Sequence, residues 1–309
     1  MMMAARVHAF GGPEAIRYEP VARPLPGPGE VLVRVAAAGF NPSDIGFRAG
    51  LMQGIVPVGG LPFTLGSEAA GTVVGAAAGS APFDVGDHVL GRLDQGGAQA
   101  EYFTARATGL VRAPSAIPLV SAAAIPVAGL TAWQALFDHA RLAPGSRVLV
   151  NGAGGGVGMF AVQLARHAGA HVIATASPRS EERVRGYGAK QVIDHAHTPP
   201  HEALDRPVDL VLNLAVMPAK AVEALCGAAC PGGSLVSITG PVKPPAGSGV
   251  TTAHFVARND ASQLASLIAL IDAGVVRVDV TAARPLAELA TLHRDAQAGR
   301  ISGKVVLIP

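Results

Sequence analysis

Residues 147–176 read RVLVNGAGGGVGMFAVQLARHAGAHVIATA. An apolar run at 148–150 meets a cluster of Gly152, Gly154, Gly155, Gly156 and Gly158; an apolar helical pattern follows, and a second apolar run at 172–174 closes the stretch. This order predicts one βαβ unit. Its turn aims backbone N–H groups and the positive end of a helix dipole at one place, an arrangement suited to a phosphate. The strict G-x-G-x-x-G spacing is absent, but residues 153–158 fit A-x-G-x-x-G with alanine at the tight-turn position. Ala153, Gly154, Gly155, Gly156, Val157 and Gly158 are therefore the candidate cradle for a dinucleotide. The bland alternative is a glycine turn that binds nothing. Four glycines in the five residues from Gly154 to Gly158, set between strand and helix, argue against it.

Downstream, strands alternate with helices. A helix is predicted over 178–187 with Ser177 or Ser180 as its cap, then strands at 191–193 and 210–214, a helix at 219–230 and a strand at 234–238. This alternation predicts an α/β fold with a parallel, doubly wound sheet whose ligand sits beyond the carboxyl ends of the strands. Residues 121–140 read as helices around Pro126. Upstream, residues 4–118 are β-rich. Strands are predicted at 6–10, from Tyr18, and at 31–37, 71–75, 88–90 and 100–104, punctuated by turns that include Gly79, Gly86 and Gly96-Gly97. After Gly249 come a helix at 261–273, a strand at 275–280, a helix at 286–298 and a strand at 304–308. The β-rich region lacks helical cover, so this tail is expected to return to it, making the parallel-sheet domain an insertion.

The 309 residues are 50% hydrophobic and 15% charged, enough apolar material for two cored domains. A net charge of +2 with 4% aromatic residues offers neither the basic patch nor the stacking platform that nucleic acids require. The uncharged run 113–137 is broken by Pro114, Pro118, Pro126 and Gly129 and reads as protein interior rather than a membrane span. The first residues lack the apolar core of a signal peptide, and the cytoplasm is the expected location. Cys226 and Cys230 are spaced like successive turns of one helix face; two thiols fall short of a structural zinc and read as buried apolar residues.

Several stretches share one resemblance: GFNPSD at 39–44 with Arg48 and Gly50, LGSEAAG at 65–71, VGDHV at 85–89, Gly96-Gly97 before AEY at 100–102, GLTAW at 129–133, the glycine turn, and GKVVL at 303–307. In this order they resemble the medium-chain dehydrogenase/reductase superfamily, and within it the zinc-free quinone oxidoreductases related to zeta-crystallin. The resemblance spans nearly the whole chain. It implies a GroES-like catalytic domain from residues 1–120 and 253–309, a Rossmann domain from 121–252, and an active site in the cleft between them. Relatives are often dimers joined at a Rossmann sheet edge, and residues 249–255 are a candidate edge strand.

Zinc members of the superfamily carry a cysteine and a histidine where this chain has Asn41 and Ser67. A neutral amide and a hydroxyl are poor zinc ligands, which leaves hydride transfer to an acceptor electrophilic without a metal, a quinone or an enone. Asn41 is the candidate polar group at the reacting carbonyl; its alternative is a turn residue before Pro42. Asp44 and Glu68 read as residues that hold the barrel loops, with Arg48 as their counterion, and neither is assigned a proton transfer. Thr131 matches a family threonine near the nicotinamide. Lys304 matches a lysine of the closing motif, expected at the cofactor or between domains. Where relatives commonly have tyrosine this chain has Gly46, which predicts a wider pocket. The strand end TASPRS at 175–180 has no carboxylate for a free ribose, whereas Ser177 and Arg179 suit a 2′-phosphate, so NADPH is the expected cofactor. An alternative pairs Arg179 with Glu181 or Glu182. The resemblance adds His195 at the adenosine end and Ile238, Thr239 and Gly240 on a cofactor-facing loop. Expected partners are a small quinone or enone and a second copy of the chain. Rival readings are an enoyl reductase acting on a thioester or polyketide intermediate, and a non-catalytic NADPH-binding sensor or structural protein.

Overall fold

A computed structural model describes residues 1–52, 60–78, 80 and 82–309, so the turn predicted at Gly79 lies outside the described residues. The chain divides into two compact units. The first comprises Met1–Val127, Asn259–Gly274 and Val278–Pro309, the second Ala128–Arg258 and Val275–Arg277.

The first unit is built on antiparallel strands. Glu30–Gly39 is the longest and pairs with Glu68–Ala76 on one side and, at its two ends, with Tyr102–Arg106 and Lys304–Ile308 on the other. His88–Arg92 extends the sheet from Glu68–Ala76. Alternating inward residues such as Val31, Val33, Val73, Val89 and Phe103 fill one core, and Ala5, Val7, Leu292, Val305 and Leu307 help fill a second. The tail does return to this sheet: Val306 stands opposite Gly39. Two strands are displaced from the sequence expectation. The first spans Met2–Val7 rather than 6–10, because its antiparallel partner Ile16–Val21 begins opposite Val7, directly after the turn through Pro13–Ala15. The strand expected at 275–280 is Val280–Pro285, because its parallel partner begins at Lys304, opposite Val280. A helix that the sequence analysis did not assign, Pro42–Ala49, follows the longest strand directly and carries Asp44, Gly46 and Arg48.

The second unit is a six-stranded, fully parallel sheet. Its spatial order is Gln191–Asp194, His171–Ala176, Arg147–Asn151, Val208–Asn213, Ala229–Ser237 and Thr251–His254. Counted from Arg147–Asn151 this is 3-2-1-4-5-6, the doubly wound order whose switch point lies between the first and fourth strands. Helices Gly156–His167 and Pro178–Tyr187 form as expected. Residues 219–230 do not form one helix. The α-turns end at Ala224, a tighter helical turn spans Leu225–Ala228, and Cys230 sits in the next strand, so the two cysteines do not share a helix face. Leu149, Ile173, Val211 and Leu235 lie at the centre of this core. No described helix is long and apolar enough to cross a membrane.

Candidate active site

In the second unit, the fully buried strand Arg147–Asn151 runs into Gly152, whose φ of +88° is a left-handed conformation that favours glycine. The N–H of Ala153 bonds back to Thr175 O at 3.0 Å, and helix Gly156–His167 starts with Gly155 at its N-cap, so no side chain caps its first turn. A side chain at Gly158 would place Cβ 2.5 Å from Ala153 Cα, and one at Gly154 would meet Ser180 Oγ at 2.5 Å. These glycines let helix, turn and neighbouring helix close on one another. An uncapped helix start beside a glycine turn fits a pyrophosphate.

Beside this turn, Ser177 occupies the N-cap position of helix Pro178–Tyr187, but its hydroxyl does not cap the helix; it lies 3.3 Å from Ser180 Oγ. Arg179 is exposed and makes no ion pair among the described residues; Glu181 bonds Arg185. His195 is exposed in the turn after Gln191–Asp194, whose Asp194 carboxylate binds His197. The Ala196 N–H, then His197, hold that carboxyl below its ordinary range.

A run of side-chain hydrogen bonds absent from the sequence reading crosses the carboxyl ends of four strands. Gly152 N–H donates to Thr175 Oγ1 (2.8 Å), Thr175 Oγ1 to Asn151 Oδ1 (2.8 Å), and Asn151 Nδ2 to Asn213 Oδ1 (2.8 Å). Asn213 Nδ2 then donates to Thr239 Oγ1 (3.1 Å) and Ser237 Oγ (3.3 Å). Each acceptor fixes the orientation of the next amide. The run thereby ties the glycine turn to the loop that carries Ile238, Thr239 and Gly240.

In the first unit, Asn41 and Lys304 are brought together by Glu68. Lys304 Nζ donates to Glu68 Oε1 (2.5 Å), Asn41 Oδ1 (2.7 Å) and Phe40 O (3.0 Å), while Asn41 Nδ2 donates to Glu68 Oε1 (2.8 Å). Glu68 Oε2 accepts from the Val127 N–H at 2.6 Å. Lys304 is 3% exposed and its three ammonium hydrogens are all directed to these acceptors, so within this network it is the counterion of Glu68. Gly39 makes room for this carboxylate: a Cβ there would lie 2.6 Å from Glu68 Cδ.

Arg48 is not the counterion of Asp44 or Glu68. Its guanidinium donates to Gly11 O (3.0 Å), Gln297 Oε1 (3.3 Å) and His293 Nδ1 (3.2 Å). A guanidinium can only donate, so His293 is the neutral tautomer protonated on Nε2. Burial, then the Arg48 charge, push His293 down to about 3. The pocket expected above Gly46 is also partly filled: a Cβ there would meet Met52 Cγ at 3.0 Å. Thr131 lies in the second unit on helix Pro126–Trp133 and is 7% exposed. Among the described residues no group of three or more His, Cys, Asp or Glu could hold a metal ion.

Comparisons with known proteins agree with this architecture. A family model described as "Alcohol dehydrogenase GroES-like domain" matches residues 27–115, and one described as "Zinc-binding dehydrogenase" matches residues 187–307. The quinone oxidoreductase of Pseudomonas aeruginosa is 32% identical over 337 residues, covering 99% of this chain and 100% of that protein. A chloroplastic quinone-oxidoreductase homologue of Spinacia oleracea is 37% identical over 219 residues, covering 67% of this chain and 66% of its own. The solved structure of the Escherichia coli quinone oxidoreductase complexed with NADPH superposes with a TM-score of 0.90 at 26% identity, covering 99% of this chain and 100% of that one. With Asn41 and Ser67 at the positions of zinc ligands, a GroES-like sheet and a Rossmann sheet, this chain belongs to the zinc-independent quinone oxidoreductases of the medium-chain dehydrogenase/reductase superfamily.

Proposed function

We propose that the protein transfers a hydride from NADPH to a quinone or another conjugated carbonyl compound without a metal. The observation that carries this reading is a complete dinucleotide turn in a chain whose metal-ligand position is a neutral amide, Asn41, held by a buried cation. When bound, the reduced nicotinamide supplies the hydride, and the protein supplies position and charge stabilisation. Asn41 Nδ2 gives one hydrogen to Glu68, which leaves its second for the oxygen of the acceptor. Lys304 on Oδ1 of the same amide draws electron density from it and strengthens that donor as the oxygen gains negative charge. The proton that completes reduction comes from solvent.

The preference for NADPH over NADH rests on Ser177 and Arg179. The hydroxyl is not consumed by capping, the guanidinium has no carboxylate partner among the described residues, and no acid stands at the end of strand His171–Ala176. The uncapped first turn of Gly156–His167, with Ala153, Gly154, Gly155, Gly156, Val157 and Gly158, would hold the pyrophosphate. Thr131, His195 and the 238–240 loop are assigned to the remainder of the dinucleotide on resemblance. Strand Thr251–His254 pairs on one side only among the described residues, and we assign a homodimer contact to its open edge.

The test is oxidation of NADPH and NADH at equal concentrations against small quinones, fused-ring quinones, enones and enoyl thioesters. Consumption of NADPH with quinones or enones is expected. Turnover confined to enoyl thioesters would replace the quinone reading with the enoyl reductase, and tight NADPH binding with no turnover on any acceptor would overturn both.

A further inference from the structure

Asp44 and Gln99 are both 0% exposed and lie beneath the Asn41 network. Asp44 Oδ2 accepts from the Asn41 N–H at 3.0 Å and from Gln99 Nε2 at 3.3 Å. The other oxygen of each side chain, Asp44 Oδ1 and Gln99 Oε1, is buried without a hydrogen-bond partner. Two buried acceptors without donors are costly, and they belong to the two side chains already joined through their other ends. The backbone and stem of Gln99 are held in place. Its backbone N–H bonds Leu65 O (2.9 Å), its carbonyl accepts from the Ala5 N–H (2.9 Å), and its side-chain stem packs over Gly66, where a Cβ would meet Gln99 Cγ at 2.6 Å.

We infer that Asp44 is a protonated carboxylic acid in the folded protein, its Oδ1–H donating to Gln99 Oε1 in a cyclic acid–amide pair that fixes the start of helix Pro42–Ala49 and so positions Asn41. A single proton satisfies both orphaned oxygens. Charge accounting agrees. The ionisable groups that act on Asp44 are Lys304 and Glu68, and all three hydrogens of that ammonium are directed elsewhere, one of them to Glu68. One buried cation and one buried carboxylate are balanced only if Asp44 is neutral. Burial, the dominant influence, carries its carboxyl up to about 7, with Glu68 adding to the rise and the Asn41 N–H, Lys304 and Gln99 opposing it. Asp44 is thus a positioning residue for Asn41, and its link to turnover rests on the role proposed for Asn41 above.

The test is infrared spectroscopy of the full-length protein carrying carboxyl-13C aspartate. A carboxylic-acid C=O stretch that shifts with the label should be present at about pH 5 and titrate away with a midpoint near 7, well above the ordinary aspartate value. No labelled acid band at that pH would overturn the assignment and leave a bridging water as the donor. Asp44→Asn keeps both acceptor bonds and supplies an N–H for Gln99 Oε1. It should remove the band and also the loss of unfolding midpoint that wild type shows as pH rises from about 4 to 7, since over that window the folded state holds a proton that the unfolded state has released. If the variant does not fold, the wild-type titration still decides. As Asp44 ionises, kcat of wild type should fall while KM for NADPH stays constant, and Asp44→Asn should abolish that fall. A band in wild type with identical kcat profiles for both proteins would overturn the positioning role alone. Unchanged activity in Asn41→Ala would overturn the Asn41 reading and leave the band untouched.

Discussion

Lys304→Met removes one partner of a pair in which both side chains are buried, at 3% and 0% exposure. The variant leaves Glu68 with its Asn41 and Val127 donors but no cation, and leaves Asn41 Oδ1 and Phe40 O without their ammonium donor. Breaking a buried pair from one side costs about 3–5 kcal/mol, a large share of the roughly 5–15 kcal/mol that holds a domain together. The sole tryptophan, Trp133, lies in the second unit, so its fluorescence would report the wrong domain. Amide exchange at Val305–Leu307 and at their partner strand is the suitable assay, because those amides open with the sheet that carries the pair. Protection there should fall by about two to four orders of magnitude, at 1.36 kcal/mol per tenfold. Adding Glu68→Gln removes the stranded charge, and the double variant should regain most of the loss. Less than a tenfold change in Lys304→Met would refute the reasoning that this buried pair helps hold strand Lys304–Ile308 to the sheet.

Gly158→Ala places a Cβ against the Ala153 backbone and should abolish measurable NADPH binding while the first unit keeps its exchange protection; binding within a few-fold of wild type would refute the close-packing argument. Arg179→Ala should raise KM for NADPH by about 10-fold to 100-fold, the worth of a charged hydrogen bond, and leave KM for NADH unchanged. Equal effects on both cofactors would assign Arg179 a role other than the 2′-phosphate. Gly46→Tyr must displace the Met52 side chain, and should lower kcat/KM for fused-ring quinones by at least about 10-fold, the cost of overpacking, with less effect on benzoquinone; unchanged kinetics would show that the helix face at Gly46 does not meet the acceptor.

The Rossmann half was legible because its signals are local. The glycine turn, the Ser177 cap position and the alternation of strand with helix each occupy a few consecutive residues, and that alternation alone implies a parallel sheet; the order of its strands comes only from the structure. Strand limits in the β-rich half were less legible. Whether the first strand ends at Val7 or continues is decided by where Ile16–Val21 begins, and whether 275–280 forms a strand by where Lys304 falls opposite it. Register is a property of a pair, and either strand read alone holds only half of it.

The same reasoning explains the site. The sequence singles out Asn41 by what it replaces, but it does not show the partners that hold it. Arg48 is four residues from Asp44 on one helix, and local spacing made it the natural counterion, yet it is drawn instead to His293 and Gln297, about as distant in sequence as Lys304 is from Asn41. Glu68 finds its cation 236 residues away, and Asp44 finds its amide 55 residues away. No periodicity encodes such partners. What the sequence does carry is the space left for them: Gly39 stands where a Cβ would strike Glu68, and Gly66 where one would strike Gln99. In a strand-rich segment these two glycines are the local trace of buried polar side chains that pass close to the backbone, and together they frame the network around Asn41.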